Sequence, residues 1–168
     1  MFKKILLVAA LVFPVLASAQ TVKIGLVDQN ELVAKMPDTA AAQKQIEEVS
    51  KKYDDEYKKL QEEWKRLYDE LNNMKEDELP AIKERKTREF NEYQQKIQQF
   101  QDQAMQDLQQ MNQSLMAPIV QKIRTAIESV GKEGGYSLIE DKNPQTIIFF
   151  DAPVVDITPE VKAKLGIQ

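Results

Sequence analysis

Cysteine and histidine are both missing from this chain of 168 residues. Without cysteine there is no disulfide and no thiol redox centre. The absence of histidine removes the usual general base at neutral pH and a frequent metal ligand. Ser18, Ser50, Ser114, Ser129 and Ser137 therefore have no imidazole to activate them. Glycine is scarce, five in all, and Gly131, Gly134 and Gly135 cluster where a helix should end rather than in a phosphate-cradling loop. Asp28, Asp151 and Asp156 fall at strand ends, where capping and turn formation use carboxylates. No catalytic, cofactor-binding or metal-ligating set emerges, so the chain reads as a non-enzyme without a cofactor.

The only long apolar run lies at the start. Lys3 and Lys4 precede Ile5 to Leu16, and Ala17-Ser18-Ala19 then forms a small-x-small site before Gln20, the plan of a cleavable secretory signal over residues 1–19. That run is too short to span a bilayer comfortably. Export into the periplasm, with release in soluble form and no stable membrane insertion, is the expectation. Removing the two signal lysines leaves 21 basic against 27 acidic side chains, a net of −6, which argues against nucleic-acid binding.

Residues 40–130 dominate what remains. Ile46, Val49, Tyr53, Tyr57, Leu60, Trp64, Leu67, Leu71 and Met74 recur by threes and fours, as do Phe90, Tyr93, Ile97, Phe100, Ala104, Leu108, Met111 and Leu115. The pattern predicts a long antiparallel helical hairpin, with its tip near residues 78–81 because Pro80 suits the first turn of a new helix. Opposite charges one turn apart, such as Asp55 with Lys59 and Glu62 with Arg66, suit a solvated outer surface. Tyr53, Tyr57, Leu60, Trp64, Tyr68, Phe90, Tyr93 and Phe100 are candidates either for the seam or for contact with an apolar guest, since amphipathic rings tolerate both settings. Lys83, Arg85, Lys86 and Arg88 form a candidate basic tip cluster. Eleven glutamines and only three charges occupy residues 93–121, and Pro118 is a candidate hinge.

The flanks, residues 20–39 and 131–168, carry the strand signals. Thr21 to Asp28, Tyr136 to Glu140 and Thr146 to Phe150 predict three strands, the last apolar on both faces and therefore buried, and Val154 to Ile157 is expected to add a short extended piece. Asp28, with Glu31 three residues on, predicts a capped short helix; Asp38 or Thr39 is a candidate cap for the long helix, and Thr158 is expected to cap a closing one with Pro159 at its first position. The fold class expected is α+β: a small β-rich oligomerisation body from which the hairpin protrudes. Ile24, Leu26, Val27, Leu138, Ile147, Ile148, Phe149 and Phe150 are its candidate oligomerisation residues, because a core this small with open edges is economically completed by further copies.

The motifs taken together carry a resemblance. Lys23-Ile24-Gly25-Leu26-Val27-Asp28, Met36-Pro37, Leu115-x-x-Pro118-Ile119, Ile123-x-x-Ala126-Ile127-x-x-Val130, Gly135-Tyr136-x-Leu138-Ile139 and Val155-Asp156-Ile157-Thr158-x-x-Val161 follow in order behind a signal. The chain resembles the Skp/OmpH family of periplasmic outer-membrane-protein chaperones. The resemblance implies a jellyfish-like homotrimer with a β-rich trimerisation body and three coiled-coil arms around a cavity. It further implies an ATP-independent holdase for unfolded outer-membrane β-barrel proteins. The best-known members are strongly basic and this chain is acidic, so lipopolysaccharide binding is not carried over. The alternative function is an exported coiled-coil structural or adaptor protein that grips one folded envelope partner.

Overall fold

A computed structural model describes residues 22–143, 145, 147, 149–151 and 153–168. The signal expected at residues 1–19 and the body candidate Ile148 lie outside the described residues. Seven elements follow in order: β1 (Ile24–Val27), α1 (Gln29–Lys35), α2 (Pro37–Asn72), α3 (Pro80–Glu133), β2 (Leu138–Asp141), β3 (Val154–Asp156) and α4 (Thr158–Leu165).

Local chemistry accounts for the boundaries. The Asp28 carboxylate accepts from the Glu31 amide at 2.8 Å and caps α1, as its spacing predicts. Neither Asp38 nor Thr39 caps α2. Met36 is its N-cap without a side-chain bond, and Pro37 occupies the first turn, where the missing amide costs nothing. Helix α2 ends at Asn72, and α3 restarts at Pro80. Pro118 lies inside α3, which continues through it to Glu133. Thr158 is the first residue of α4, whose N-cap is Ile157, and the Thr158 hydroxyl instead accepts from the Asp28 amide at 2.9 Å. Gly166 closes α4 in the left-handed region at φ 70°.

The hairpin is antiparallel. Cross-helix partners descend on α3 as they ascend on α2: Asp38 pairs with Lys122 at 3.2 Å, Tyr53 with Asp107 at 2.6 Å, and Glu70 with Lys86. At 1.5 Å per residue α2 is roughly 54 Å long and α3 roughly 80 Å. The 54 residues of α3 outrun the 36 of α2, and the surplus forms the foot on which the sheet rests. There the main core gathers: Val27 from β1, Leu32 from α1, Met36 between α1 and α2, Ala42 from α2, Ile119, Ile123, Ala126 and Val130 from α3, and Ile157 and Val161 around α4.

The expected β-rich trimerisation body is not what forms. The chain is predominantly α-helical, with a small open sheet of three strands in the order β2-β1-β3. The strands hold four, four and three residues, and both pairings of β1 are parallel. Thr146 to Phe150 was expected as a buried strand, yet the described Ile147, Phe149 and Phe150 belong to no strand. Phe149 is 81% exposed and Phe150 52%. The parallel order explains the difference. After β2 the chain must return along the sheet and pass β1 before a third strand can run parallel, so β2 and β3 need a crossover connection rather than a hairpin. The paired segment is the one that follows, Val154–Asp156.

Candidate functional site: the hairpin seam and the uncovered sheet face

Side chains on the facing sides of α2 and α3 build the seam. Leu60, Leu67 and Ala104 are its buried members, while Tyr53, Tyr57, Trp64, Phe90, Tyr93 and Phe100 are half-buried. A two-helix arm has no third layer to cover ring edges, so large aromatics keep part of their surface in water. The rings touch across the seam: Tyr53 meets Phe100 edge-on with centroids 5.8 Å apart, and Trp64 meets Phe90 at 5.6 Å. Tyr68, one residue past Leu67, leaves the seam. It is 46% exposed, stacks on Trp64 at 5.4 Å with an interplanar angle of 11°, and also touches Phe90 at 6.2 Å.

Beside this seam a groove of about 400 Å³ opens, lined by Tyr53, Tyr57, Phe100, Ala104, Met105 and Leu108, with Ser50, Asp54 and Gln101 at its margin. Met105 is the member that the apolar stripe does not disclose, because it stands one residue off the repeat at Ala104. A second repeat would have found it: Gln94, Gln98, Gln101, Met105, Gln109 and Asn112 also recur by threes and fours, and all are exposed.

The polar groups around the seam are mutually engaged. The Tyr53 hydroxyl donates to Asp107, which also accepts from Gln103 at 2.7 Å. These two donors, Tyr53 first, hold the Asp107 carboxyl below its ordinary value. The same bond, aided by burial, raises the Tyr53 phenol. On the outer face of α2 the pairs are Asp55 with Lys58 at 3.4 Å, Glu56 with Lys59 at 3.0 Å and Glu63 with Arg66 at 2.5 Å. These span three residues, whereas Arg66 also pairs with Glu70 four residues on, and both spacings bring helix neighbours together.

The four tip cations do not present one basic face. Lys83 donates to the Glu76 carbonyl at 2.9 Å, Lys86 pairs with Glu70, and Arg88 pairs with Glu84 at 3.2 Å. Lys86 holds the Glu70 carboxyl below its ordinary value through that hydrogen bond. Arg85 is exposed.

At the sheet, alternation assigns the two faces. Gly25, Val27 and Ile139 point toward the helices, where Ile139 packs on the core. Ile24 stands in register with Leu138 and Val154 on the opposite face, so these three form a row across the sheet. Leu138 is 48% exposed, whereas Ile24 and Val154 are half-buried. Leu26, on the same side, is buried, and Lys142 joins Asp156 at 3.0 Å. Of the body candidates, Leu26 and Val27 are thus interior, Ile24 and Ile147 intermediate, and Leu138, Phe149 and Phe150 on the surface.

A family model described as outer membrane protein (OmpH-like) matches residues 23–165, from the first strand to the end of the last helix. The chain belongs to the OmpH-like family. OmpH-family membership makes it a chaperone of the periplasmic class and carries no catalytic activity. Among the described residues of this OmpH-family chain, no group of three or more carboxylates, histidines or cysteines could hold a metal ion, and no helix is long and apolar enough to cross a membrane. No curated protein matches the chain.

Proposed function

We propose that this OmpH-family chaperone is an ATP-independent holdase that binds unfolded outer-membrane β-barrel proteins between the helical arms of three copies. Residues 1–19 act as its cleavable export signal. A β-barrel client cannot satisfy its backbone or its apolar side chains until its sheet closes in a membrane. Meanwhile its strand segments are prone to pair with one another. A long arm offering many shallow contacts shields such segments and imposes no unique fold.

The observation that carries the reading is the half-covered aromatic seam, in which Tyr53, Tyr57, Trp64, Phe90, Tyr93 and Phe100 keep part of their ring surface open along the arm. The partly covered row Leu138, Ile24 and Val154 and the open edges of the sheet support assembly from several copies, because apolar faces and open edges favour pairing. Pro118, above the foot, deprives Ser114 of its helical donor and is the proposed pivot of the arm. Lipopolysaccharide stays outside the proposal, since the chain is acidic and three tip cations already have partners.

The test is turbidity after diluting a urea-unfolded outer-membrane β-barrel protein into buffer. Suppression of aggregation by the chain without nucleotide, together with no binding to the same barrel once folded, is expected. Tight binding to one folded envelope protein with no protection of unfolded barrels would replace the holdase by an adaptor.

A further inference from the structure

The groove beside the seam has a composition unlike the rest of the arm. Its floor is rigid: the Tyr53 hydroxyl is tied to Asp107 and the Tyr53 ring lies edge-on against Phe100 at an interplanar angle of 62°. Its rim is soft, because Met105 is 65% exposed and carries a flexible, polarizable thioether that adapts to many shapes. Along the same side of α3, Gln94, Gln98 and Gln101 continue the rim toward the tip, and Gln109 and Asn112 toward the foot. The row itself is uncharged, although Gln98 donates to the Asp102 carboxylate at 3.2 Å and Asp54 stands at the groove margin. A carboxamide offers both a donor and an acceptor, the complement of an unpaired backbone N–H and C=O. The outer face of α2 differs, since covering its Asp55–Lys58 and Glu56–Lys59 pairs would strip water from charges.

We propose that this groove captures an extended, uncharged polypeptide segment, seating one apolar side chain between Tyr57 and Met105 while the carboxamide row bonds the segment's backbone. The inference rests on the holdase reading and deepens it by assigning one flank of the hairpin to the client. A β-barrel strand alternates apolar and polar residues, so every second side chain is a candidate for the groove and its neighbours face the amides or water. The site selects for extension and lack of charge rather than for a sequence. That selectivity suits a binder of many clients.

The absence of cysteine makes the test clean. Met105→Cys, and Lys59→Cys on the charged outer face as a control, each carry an environment-sensitive fluorophore. A urea-unfolded outer-membrane β-barrel protein is then diluted in. The expected result is a blue shift at position 105 with none at position 59, and client affinity about tenfold weaker in Met105→Glu but retained in Met105→Leu. Circular dichroism checks that each variant keeps its helices. Equal shifts at both positions, or undiminished affinity in a folded Met105→Glu, would overturn the groove while leaving the holdase standing. A shift at position 105 that grows with chain concentration before client is added would assign the groove to a second copy and also overturn it. If the parent chain protects no unfolded barrel, the holdase reading fails first and the groove with it.

Discussion

Position 53 illustrates how a seam residue does two things at once. The Tyr53 ring packs edge-on with Phe100 while its hydroxyl reaches Asp107 on the other helix, so one side chain contributes both apolar cover and a fixed register. The two titrations work in opposite directions. Asp107 is held below its ordinary value of 3.8, so its share of the tie is complete above that pH and lost as pH falls through the lowered value. Tyr53 is raised above 10.0, so its share is complete below that pH and lost as pH rises through the raised value. We predict that Tyr53→Phe and Asp107→Asn each lower the thermal midpoint and that the double variant loses less than the two losses added, as expected for partners in one bond. The difference between parent and either single variant should shrink in acid. Full additivity across the cycle would show that the two groups do not interact.

Among the elements, the junction between α3 and β2 has the tightest steric demand. The Tyr136 ring lies where side chains at Gly25 and Gly134 would otherwise project: a Cβ at Gly134 would stand 2.4 Å from the ring and 3.0 Å from the Val130 carbonyl. Lys23 completes the arrangement, with its ammonium 4.1 Å from the ring centroid and bonded to the Gly134 carbonyl at 2.8 Å. Gly134→Ala is therefore expected to displace Tyr136 and cost about 1–3 kcal/mol in urea unfolding, within the range for forced overpacking. A variant as stable as the parent would mean that the ring moves freely. This junction also marks the limit of what the sequence discloses. The stripes of α2 and α3 are legible because helical spacing records which side of each helix is buried, residue by residue. The Asp28 cap is legible for the same local reason. The sheet is not: nothing in Thr146 to Phe150 says that the chain will pass β1 before pairing, because parallel order is decided by partners far away in sequence, as in the pairing of Ile24 with Val154. Gly134 reads as a helix terminator, which it is, but its second duty toward Tyr136 needs three dimensions. Met105 was hidden by a neighbour, since Ala104 occupies the apolar repeat.

At the scale of the whole molecule, two structural facts point outward. The hairpin is a long arm stabilised mainly along one seam, and the main core lies at its foot, where α1, α3, α4 and β1 meet. The foot also leaves Leu138, Phe149 and Phe150 on the surface beside open strand edges. A single chain thus has an arm with nothing opposite it and a foot with uncovered apolar surface, and three copies around an axis would answer both needs. Net acidity sets this chain apart from a purely electrostatic capture device, so shape and apolar contact carry the proposed binding. The most direct measurement is the light-scattering mass of the purified chain, alone and after dilution of a urea-unfolded outer-membrane β-barrel protein into it without nucleotide. The account predicts a mass of three chains alone and of three chains plus client in the mixture, with the client soluble. A monomer that leaves the client to aggregate would contradict it.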